Sequence, residues 1–164
     1  MNLELIVTGG QSGVDQAAWR AAKRCGIATG GWMPRGFKTE DGNHPEFAEL
    51  YGAKEHPSSS YRDRTISNVG LVDKVLIFNQ GPAWSSGTAC AVNAAKDADV
   101  RWFVWELGRT LDSGFSTGYI AQWIRRDSPQ SLMVGGNRES RAPGIGAAVE
   151  AYLVEVFTAL KGSR

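Results

Sequence analysis

The part of this chain that most constrains its fold is the N-terminal passage from an apolar run, through several glycines, into a helix. Residues 3–8 are mainly apolar, and residues typical of a helix begin near residue 14. Glycine allows positive φ and lets a ligand approach the backbone closely, while a helix N-terminus offers unpaired N–H groups and a positive dipole end. We therefore expect a phosphate or another oxyanion to bind here, at Gly9, Gly10, Gln11, Ser12 and Gly13.

The spacing of these glycines argues against two familiar nucleotide-binding motifs. It matches neither the G-x-G-x-x-G fingerprint of dinucleotide-binding proteins nor the Walker motif with its lysine. Tight strand-to-helix turns that bind no ligand are common, so a purely structural connector is the alternative interpretation.

Composition narrows the classes of function. At 164 residues the chain fits one domain with a sizeable core, and we expect residues 1–164 to form a single ligand-binding domain. The net charge of +1 gives no general reason to expect binding to nucleic acid or membranes. We expect no signal peptide, and no apolar run reaches the ~20 residues of a membrane span.

Cysteine and histidine usage predicts the compartment and the metal content. Cys25 and Cys90 both fall on predicted helices, which indicates reduced thiols in a cytoplasmic protein. His44 and His56 have no cysteine or second histidine at ligand spacing, so we expect no metal site built from protein ligands.

Strand-like and helix-like segments alternate along the chain. Apolar and β-branched runs predict strands, and apolar residues three or four apart predict helices, most clearly in the closing stripe from Val149 to Leu160. This alternation predicts a single doubly wound α/β domain with a mainly parallel sheet. The predicted strands are residues 3–8, 27–33, 53–56, 74–78, 101–105 and 131–134. The first predicted helix ends near residue 25, and the others span 44–51, 61–71, 86–96, 116–126 and the closing stripe. A polar loop is predicted at residues 35–45.

Three glycine-bearing turns follow predicted strands. Ligands of open α/β sheets bind outside the carboxyl ends of the strands, so we expect the three turns to meet on one edge. Hydroxyl groups and backbone amides in the second turn, and polar side chains in the third, are suited to an anion. The candidate binding residues in these two turns are Ser85, Ser86, Gly87, Thr88, Asn137 and Arg138.

Several charged residues near these turns have two interpretations each. Asp15 is either an acid that offsets the dipole in the first helical turn, which we favour, or a ligand-binding group. Arg138 either clamps an anion or pairs with Glu139 on the surface. The predicted helix at residues 61–71 carries Arg62, Arg64 and Asn68, which we expect to lie on a solvated face, with ligand contact as the alternative. Glu40 and Asp41, in the polar loop, are also expected to be solvated.

Trp32 and Trp84 lie in loops near the expected binding edge. A flat ring such as a purine or pterin could stack on either, although packing of the loop explains each one taken alone. We include Trp32 among the candidate cofactor-binding residues. The chain has six tryptophans, more than one small core usually needs, which favours a homo-oligomer.

These motifs together resemble the molybdenum cofactor carrier family, a Rossmann-like branch of the wider SLOG group that includes the lonely-guy phosphoribohydrolases. The resemblance keeps the motif order over nearly the whole chain, at residues 7–18, 30–36, 40–42, 61–69, 86–89, 135–140 and 143–145. It implies a Rossmann-like fold and a cytoplasmic homo-oligomer, a dimer or tetramer, that binds molybdenum cofactor or a related phosphate-bearing, nucleotide-like ligand.

One position departs from the phosphoribohydrolase relatives. They carry a glutamate three residues after the threonine of their glycine–threonine motif, and the corresponding residue here is Ala91, which cannot act as an acid or base. The leading hypothesis is therefore a carrier that binds the cofactor without catalysis, with no catalytic residue assigned. The alternatives are a nucleotide-processing enzyme, with Glu40, Asp41, Asp15 or Glu139 as its acid, and a sensor of a nucleotide-like ligand.

Overall fold

The computed structural model describes residues 3–107 and 117–162. Strands and helices alternate along most of this length, as the hydrophobic pattern predicts. The strands are β1 (Leu5–Val7), β2 (Ala28–Met33), β3 (Lys38–Thr39), β4 (Gly42–Asn43), β5 (Ala53–Glu55), β6 (Lys74–Gln80), β7 (Arg101–Leu107) and β8 (Ser131–Gly136). The helices are α1 (Val14–Arg24), α2 (Phe47–Tyr51), α3 (Tyr61–Val69), α4 (Ser86–Asp97), α5 (Thr117–Arg125) and α6 (Ile145–Gly162).

Six strands form one sheet in the order β5-β2-β1-β8-β6-β7. Every neighbouring pair in this sheet is parallel. The last long strand in the sequence, β8, lies between β1 and β6, so the turns that follow these three strands are neighbours on one edge of the sheet. The predicted α/β class with a parallel sheet is confirmed.

Alternate residues of the central strands point to opposite faces of the sheet. On one face Ile6, Leu76 and Leu132 pack against α1, α5 and α6. On the other face Val75, Ile77 and Met133 pack against α3 and α4. Helices therefore cover both faces, which explains why these strands read as continuous apolar runs rather than alternating ones.

The polar loop expected at residues 35–45 instead contains the antiparallel hairpin β3–β4. Its strands are two residues each, too short for a periodic pattern to be visible in the sequence. The predicted helix at 116–126 corresponds to α5, and Ser116 lies outside the described residues. Among the helices of residues 3–107 and 117–162, none is long and apolar enough to cross a membrane.

Candidate functional site

A cavity of about 380 Å³ lies where the turns after β1, β6 and β8 meet. Its size is within the range of small-molecule sites. Seven of the residues predicted from the sequence line it, namely Gln11, Ser85, Ser86, Gly87, Thr88, Asn137 and Arg138. Gly9, Gly10, Ser12, Gly13 and Trp32 lie outside its lining.

The N-terminus of α4 forms one wall of the cavity. Ser85 is its N-cap, and the Ser85 hydroxyl accepts a hydrogen bond of 3.1 Å from the backbone N–H of Thr88. The N–H groups of Ser86 and Gly87 have no acceptor within the helix, as in the first turn of any helix. The positive end of the helix dipole and these two residues therefore lie at the cavity, which favours an anion there.

Four arginines line the same cavity: Arg62, Arg64, Arg138 and Arg141. Arg62 and Arg141 are exposed, and Arg138 is half-buried. Arg64 is only 8% exposed. The expectation of a solvated face for Arg64 is wrong, because α3 turns this side chain inward toward the glycine turn. The arrangement gives the cavity an excess of positive charge.

Asp15 is the carboxylate that partly balances these arginines. It is 4% exposed and lines the cavity, with Oδ2 at 3.8 Å from Nη2 of Arg64. Burial raises the pKa of Asp15, although Arg64 and the backbone amides of Gln11 and Gly9 act in the opposite direction. Asp15 lies in the first turn of α1 as expected, and it also bonds to the turn and pairs with a buried cation.

The side chain of Gln11 is fixed by its own loop. Its Oε1 atom accepts a hydrogen bond of 3.0 Å from the N–H of Ser12 and one of 2.9 Å from the N–H of Glu40. Its Nε2 atom is buried and has no hydrogen-bond partner among the described residues. The same is true of Nε of Arg64. Two residues of the cavity lining thus each contain a buried donor that has no acceptor among the described residues.

The backbone amides of the first glycine turn already donate to side chains. The N–H of Gly10 donates to Oγ1 of Thr8, that of Gln11 to Asp15, and that of Ser12 to Gln11. A Cβ on Gly10 would come within 2.6 Å of the Met33 sulfur rather than project into the cavity. The turn therefore shapes the cavity chiefly through its side chains.

Glu40 fastens the β3–β4 hairpin to this turn, which contradicts the expected solvation of this residue. Its carboxylate accepts hydrogen bonds from the hydroxyl groups of Ser12 and Ser140 and from the N–H of Ser140. It also lies 3.8 Å from Arg138, and its side chain is only 13% exposed. Asp41 is exposed as expected.

Arg138 pairs with this distant carboxylate rather than with its neighbour Glu139. The Glu139 carboxylate instead accepts hydrogen bonds from the N–H groups of Gly144 and Gly146 at the start of α6. The guanidinium of Arg138 also lies 5.6 Å from the centre of the Tyr61 ring, and Arg64 lies 5.8 Å from it. Tyr61 lines the cavity and was not among the residues expected from the sequence.

Asn137 and Asn68 hold the backbone near the cavity in place. Oδ1 of Asn137 accepts a 2.7 Å hydrogen bond from the N–H of Gln80. Asn68 is fully buried and bonds to both the N–H and the C=O of Trp32, as well as to the C=O of Thr8. The solvated face expected for Asn68 is therefore wrong, and its role is structural.

Neither loop tryptophan lines the cavity. Trp32 lies in β2, where its ring packs against His56 at a centroid distance of 5.6 Å. Trp84 is 42% exposed and contacts Trp102 edge to face. Each ring thus has an aromatic packing partner, as the alternative interpretation expects, and stacking of a ligand on either ring stays a prediction.

Ala91 lies in the cavity wall and is 3% exposed. Cys90, next to it, also lines the cavity, and burial raises the pKa of its thiol. Sequence reasoning missed Cys90, Tyr61, Thr65 and Arg141 as lining residues. Within residues 3–107 and 117–162, no three His, Cys, Asp or Glu side chains are grouped so that they could hold a metal ion.

Comparison with known proteins places the chain in a family. The model of the circularly permutated YpsA SLOG family matches residues 6–157. The chain belongs to this family. The family model spans all three turns and the whole cavity lining.

A solved structure from Syntrophus aciditrophicus, named "Putative molybdenum carrier protein", has the same fold with a TM-score of 0.80. Its sequence is 31% identical, and the match covers 94% of this chain and 94% of that one. The resemblance expected from the sequence is confirmed at the level of family and fold. No curated protein matches the chain significantly.

Proposed function

We propose that this protein is a carrier that binds molybdenum cofactor, a phosphorylated pterin, in the cavity and leaves it chemically unchanged. Molybdenum itself is cargo, held by the dithiolene sulfurs of the pterin. A cluster of protein metal ligands is then not required. The family and the name of the Syntrophus protein support this choice of ligand.

The observation that carries the proposal is the charge of the cavity. Four arginines and the N-terminus of α4 surround a space that contains one buried carboxylate, Asp15. Arginine binds phosphate oxygens through two N–H groups at once, and charge-assisted hydrogen bonds of this kind contribute about 1.5–3 kcal/mol each. The phosphate of the ligand would lie between the Ser86 and Gly87 amides and the arginines.

The cavity wall also fits a phosphorylated ring. It includes the apolar side chains of Ile77, Ala91 and Met133, which suit the faces of a heterocycle.

A nucleotide-processing enzyme is the second candidate, and the observation that favours it is Asp15. A buried carboxyl with a raised pKa that faces a cavity is suited to proton transfer. Ala91 counts against it, because this residue lines the cavity and stands at the sequence position that corresponds to the glutamate of the phosphoribohydrolase relatives. We therefore favour binding without turnover.

Binding and turnover can be tested together. Molybdenum cofactor and a nucleoside monophosphate are each incubated with the protein, and bound ligand and released free base are quantified. We expect retention of intact cofactor, weakened at least tenfold in Arg138→Gln and in Arg62→Gln. Arg24→Gln is the matched control, because Arg24 lies on α1 and pairs with Glu150 outside the cavity lining. Release of free base would establish the enzyme instead.

We also propose that residues 1–164 act as one domain in a cytoplasmic homo-oligomer, a dimer or tetramer. Exposed apolar side chains support this assembly, including Leu71 at 52% and Tyr119 at 44% exposure. Cys25 and Cys90 are free thiols, as is usual where the environment is reducing.

A further inference from the structure

The ring of Tyr61 lies among three cationic side chains. The Nζ atom of Lys38 lies 5.1 Å from the ring centre, and the guanidinium carbons of Arg138 and Arg64 lie 5.6 Å and 5.8 Å from it. A cation within about 6 Å of an aromatic ring centre is attracted by the negative charge on the ring face. The three cations belong to β3, to the turn after β8 and to α3, so Tyr61 is the point at which they converge.

Without the ring, this convergence of like charges would be unfavourable. Burial lowers the pKa of Arg64, Asp15 acts against burial, and the positive charge of Arg138 adds to the lowering. A tyrosine ring attracts cations through its quadrupole and adds no carboxylate that would repel an anionic ligand. The ring therefore offsets part of the repulsion while the site keeps its positive charge.

Of these three cations, Arg138 is the one suited to contact a ligand. Lys38 is not among the residues that line the cavity. Arg64 lines it but is only 8% exposed and pairs with Asp15. Arg138 lines the cavity with 39% of its side chain exposed. An effect of these cation contacts on a ligand would therefore pass through Arg138.

The guanidinium of Arg138 is held on its other side by a loose ion pair. Its Nη1 atom lies 3.8 Å from Oε2 of Glu40, which is longer than a hydrogen bond. Immobilising a long side chain on binding costs free energy, and a site that is already ordered avoids part of that cost. Restriction of Arg138 by the Tyr61 ring would therefore strengthen binding.

We propose that Tyr61 is a positioning residue of the phosphate site, and that its ring holds the guanidinium of Arg138 at the cavity before a ligand binds. Tyr61 then raises the affinity for a phosphorylated ligand through Arg138, and not by a contact of its own with the phosphate. This assignment rests on the proposed function, since it requires that the phosphate binds at Arg138.

The test is a double-mutant cycle for the binding of ribose 5-phosphate, followed by phosphorus NMR titration. Tyr61→Leu removes the ring and Tyr61→Phe keeps it, and Tyr61→Leu is also combined with Arg138→Gln. Tyr51→Leu is the matched control, because Tyr51 also contacts a cation, with Lys23 at 5.5 Å from its ring centre, but does not line the cavity.

These substitutions should leave the fold intact. Tyr61 is the first residue of α3 and is half-buried, and leucine is a good helix former. Urea midpoints check this for every variant, and Tyr61→Met, which also removes the ring, replaces Tyr61→Leu if the leucine variant does not fold.

We expect Tyr61→Leu to bind ribose 5-phosphate about fivefold more weakly than the wild type, which corresponds to the loss of one cation–π contact. Tyr61→Phe and Tyr51→Leu should stay within about twofold of the wild type. In the background of Arg138→Gln, Tyr61→Leu should cause no further loss, because the residue through which it acts is gone. A general structural effect would lower the affinity by the same factor in both backgrounds.

The possible failures are distinguishable. If the wild type binds ribose 5-phosphate but Tyr61→Leu binds it equally well, or loses the same factor with and without Arg138, the positioning role is refuted and phosphate binding stands. Equal losses in Tyr61→Phe and Tyr61→Leu would indicate a direct contact of the hydroxyl group and would also refute it. If the wild type does not bind ribose 5-phosphate, the phosphate site of the proposed function is refuted, and this inference with it.

Discussion

Replacement of Arg64 by methionine should destabilise the protein strongly and in a pH-dependent way. Arg64 and Asp15 have side chains 9% and 6% exposed and lie 3.8 Å apart. Removing one partner of a buried ion pair leaves the other charge uncompensated, at a cost of about 3–5 kcal/mol. Arg64→Met should therefore lose a large part of the ~5–15 kcal/mol that stabilises a typical domain.

The pH dependence follows from the raised pKa of Asp15. A carboxyl whose pKa is higher in the folded state than its unfolded value of 3.8 reduces stability as the pH rises between those two values. Loss of Arg64 raises the folded pKa further, because the cation that favours the carboxylate is gone. The loss of stability in Arg64→Met should therefore be largest at pH 7 and smaller at pH 4, because protonation of the buried Asp15 carboxyl in the acid range removes the uncompensated charge.

The assay is urea denaturation followed by tryptophan fluorescence, which reports on the fully buried Trp19. The double variant Arg64→Met/Asp15→Asn carries neither buried charge. It should be more stable than the sum of the single effects by about 1–3 kcal/mol. Arg62→Met, an exposed neighbour on α3, is the control and should change stability by about 0.5 kcal/mol or less. A loss of unfolding free energy in Arg64→Met below 1 kcal/mol, or a loss that is equal at pH 7 and pH 4, would refute the reasoning.

Three other predictions concern stability and assembly. Burial tends to raise the pKa of Glu40, but hydrogen bonds from Ser12 and Ser140 outweigh it and lower the pKa below 4.5. The wild type should therefore be more stable than Glu40→Gln by about 1–3 kcal/mol above that pH, and this difference should disappear in acid. Equal urea midpoints for the two proteins at pH 7 would contradict this prediction. Gly136→Ala should cost about 1–3 kcal/mol or more, because the new Cβ would lie 2.2 Å from the Phe78 carbonyl oxygen, whereas Gly87→Ala, with nothing nearer than 3.8 Å, should be nearly neutral in the same assay. Light scattering should give two or four times the chain mass of 17.7 kDa, and a monomer at all concentrations would remove the oligomer from the proposal.

Local sequence patterns were sufficient for the fold and for one wall of the cavity. The spacing of apolar residues in strands and helices predicted the parallel sheet. Because ligands bind at the carboxyl ends of parallel strands, the sequence also predicted that the three turns lie on one edge. The N-cap geometry of Ser85 before α4 follows from the preference of serine for that position. These features depend on residues within a few positions of one another.

The features of the site that could not be predicted from the sequence depend on contacts between residues that are distant in the chain. Glu40 bonds to Ser12, 28 residues away, and to Ser140, 100 residues away. Arg64 reaches Asp15 from another helix, on the far side of the β1 turn. A polar residue has the same local pattern whether it is solvated or paired across the fold, so Glu40 and Arg64 both read as surface residues.

The glycine turn after β1 makes close contacts with side chains of the protein itself. Its amides are occupied by Thr8, Asp15 and Gln11, and a Cβ on Gly9 would lie 2.0 Å from Nη1 of Arg64. The glycine at position 9 thus makes room for a protein cation, and binding of a ligand phosphate at this turn stays a prediction. Under the proposed function, the phosphate of the ligand is recognised instead by the N-terminus of α4 and the exposed arginines of the cavity.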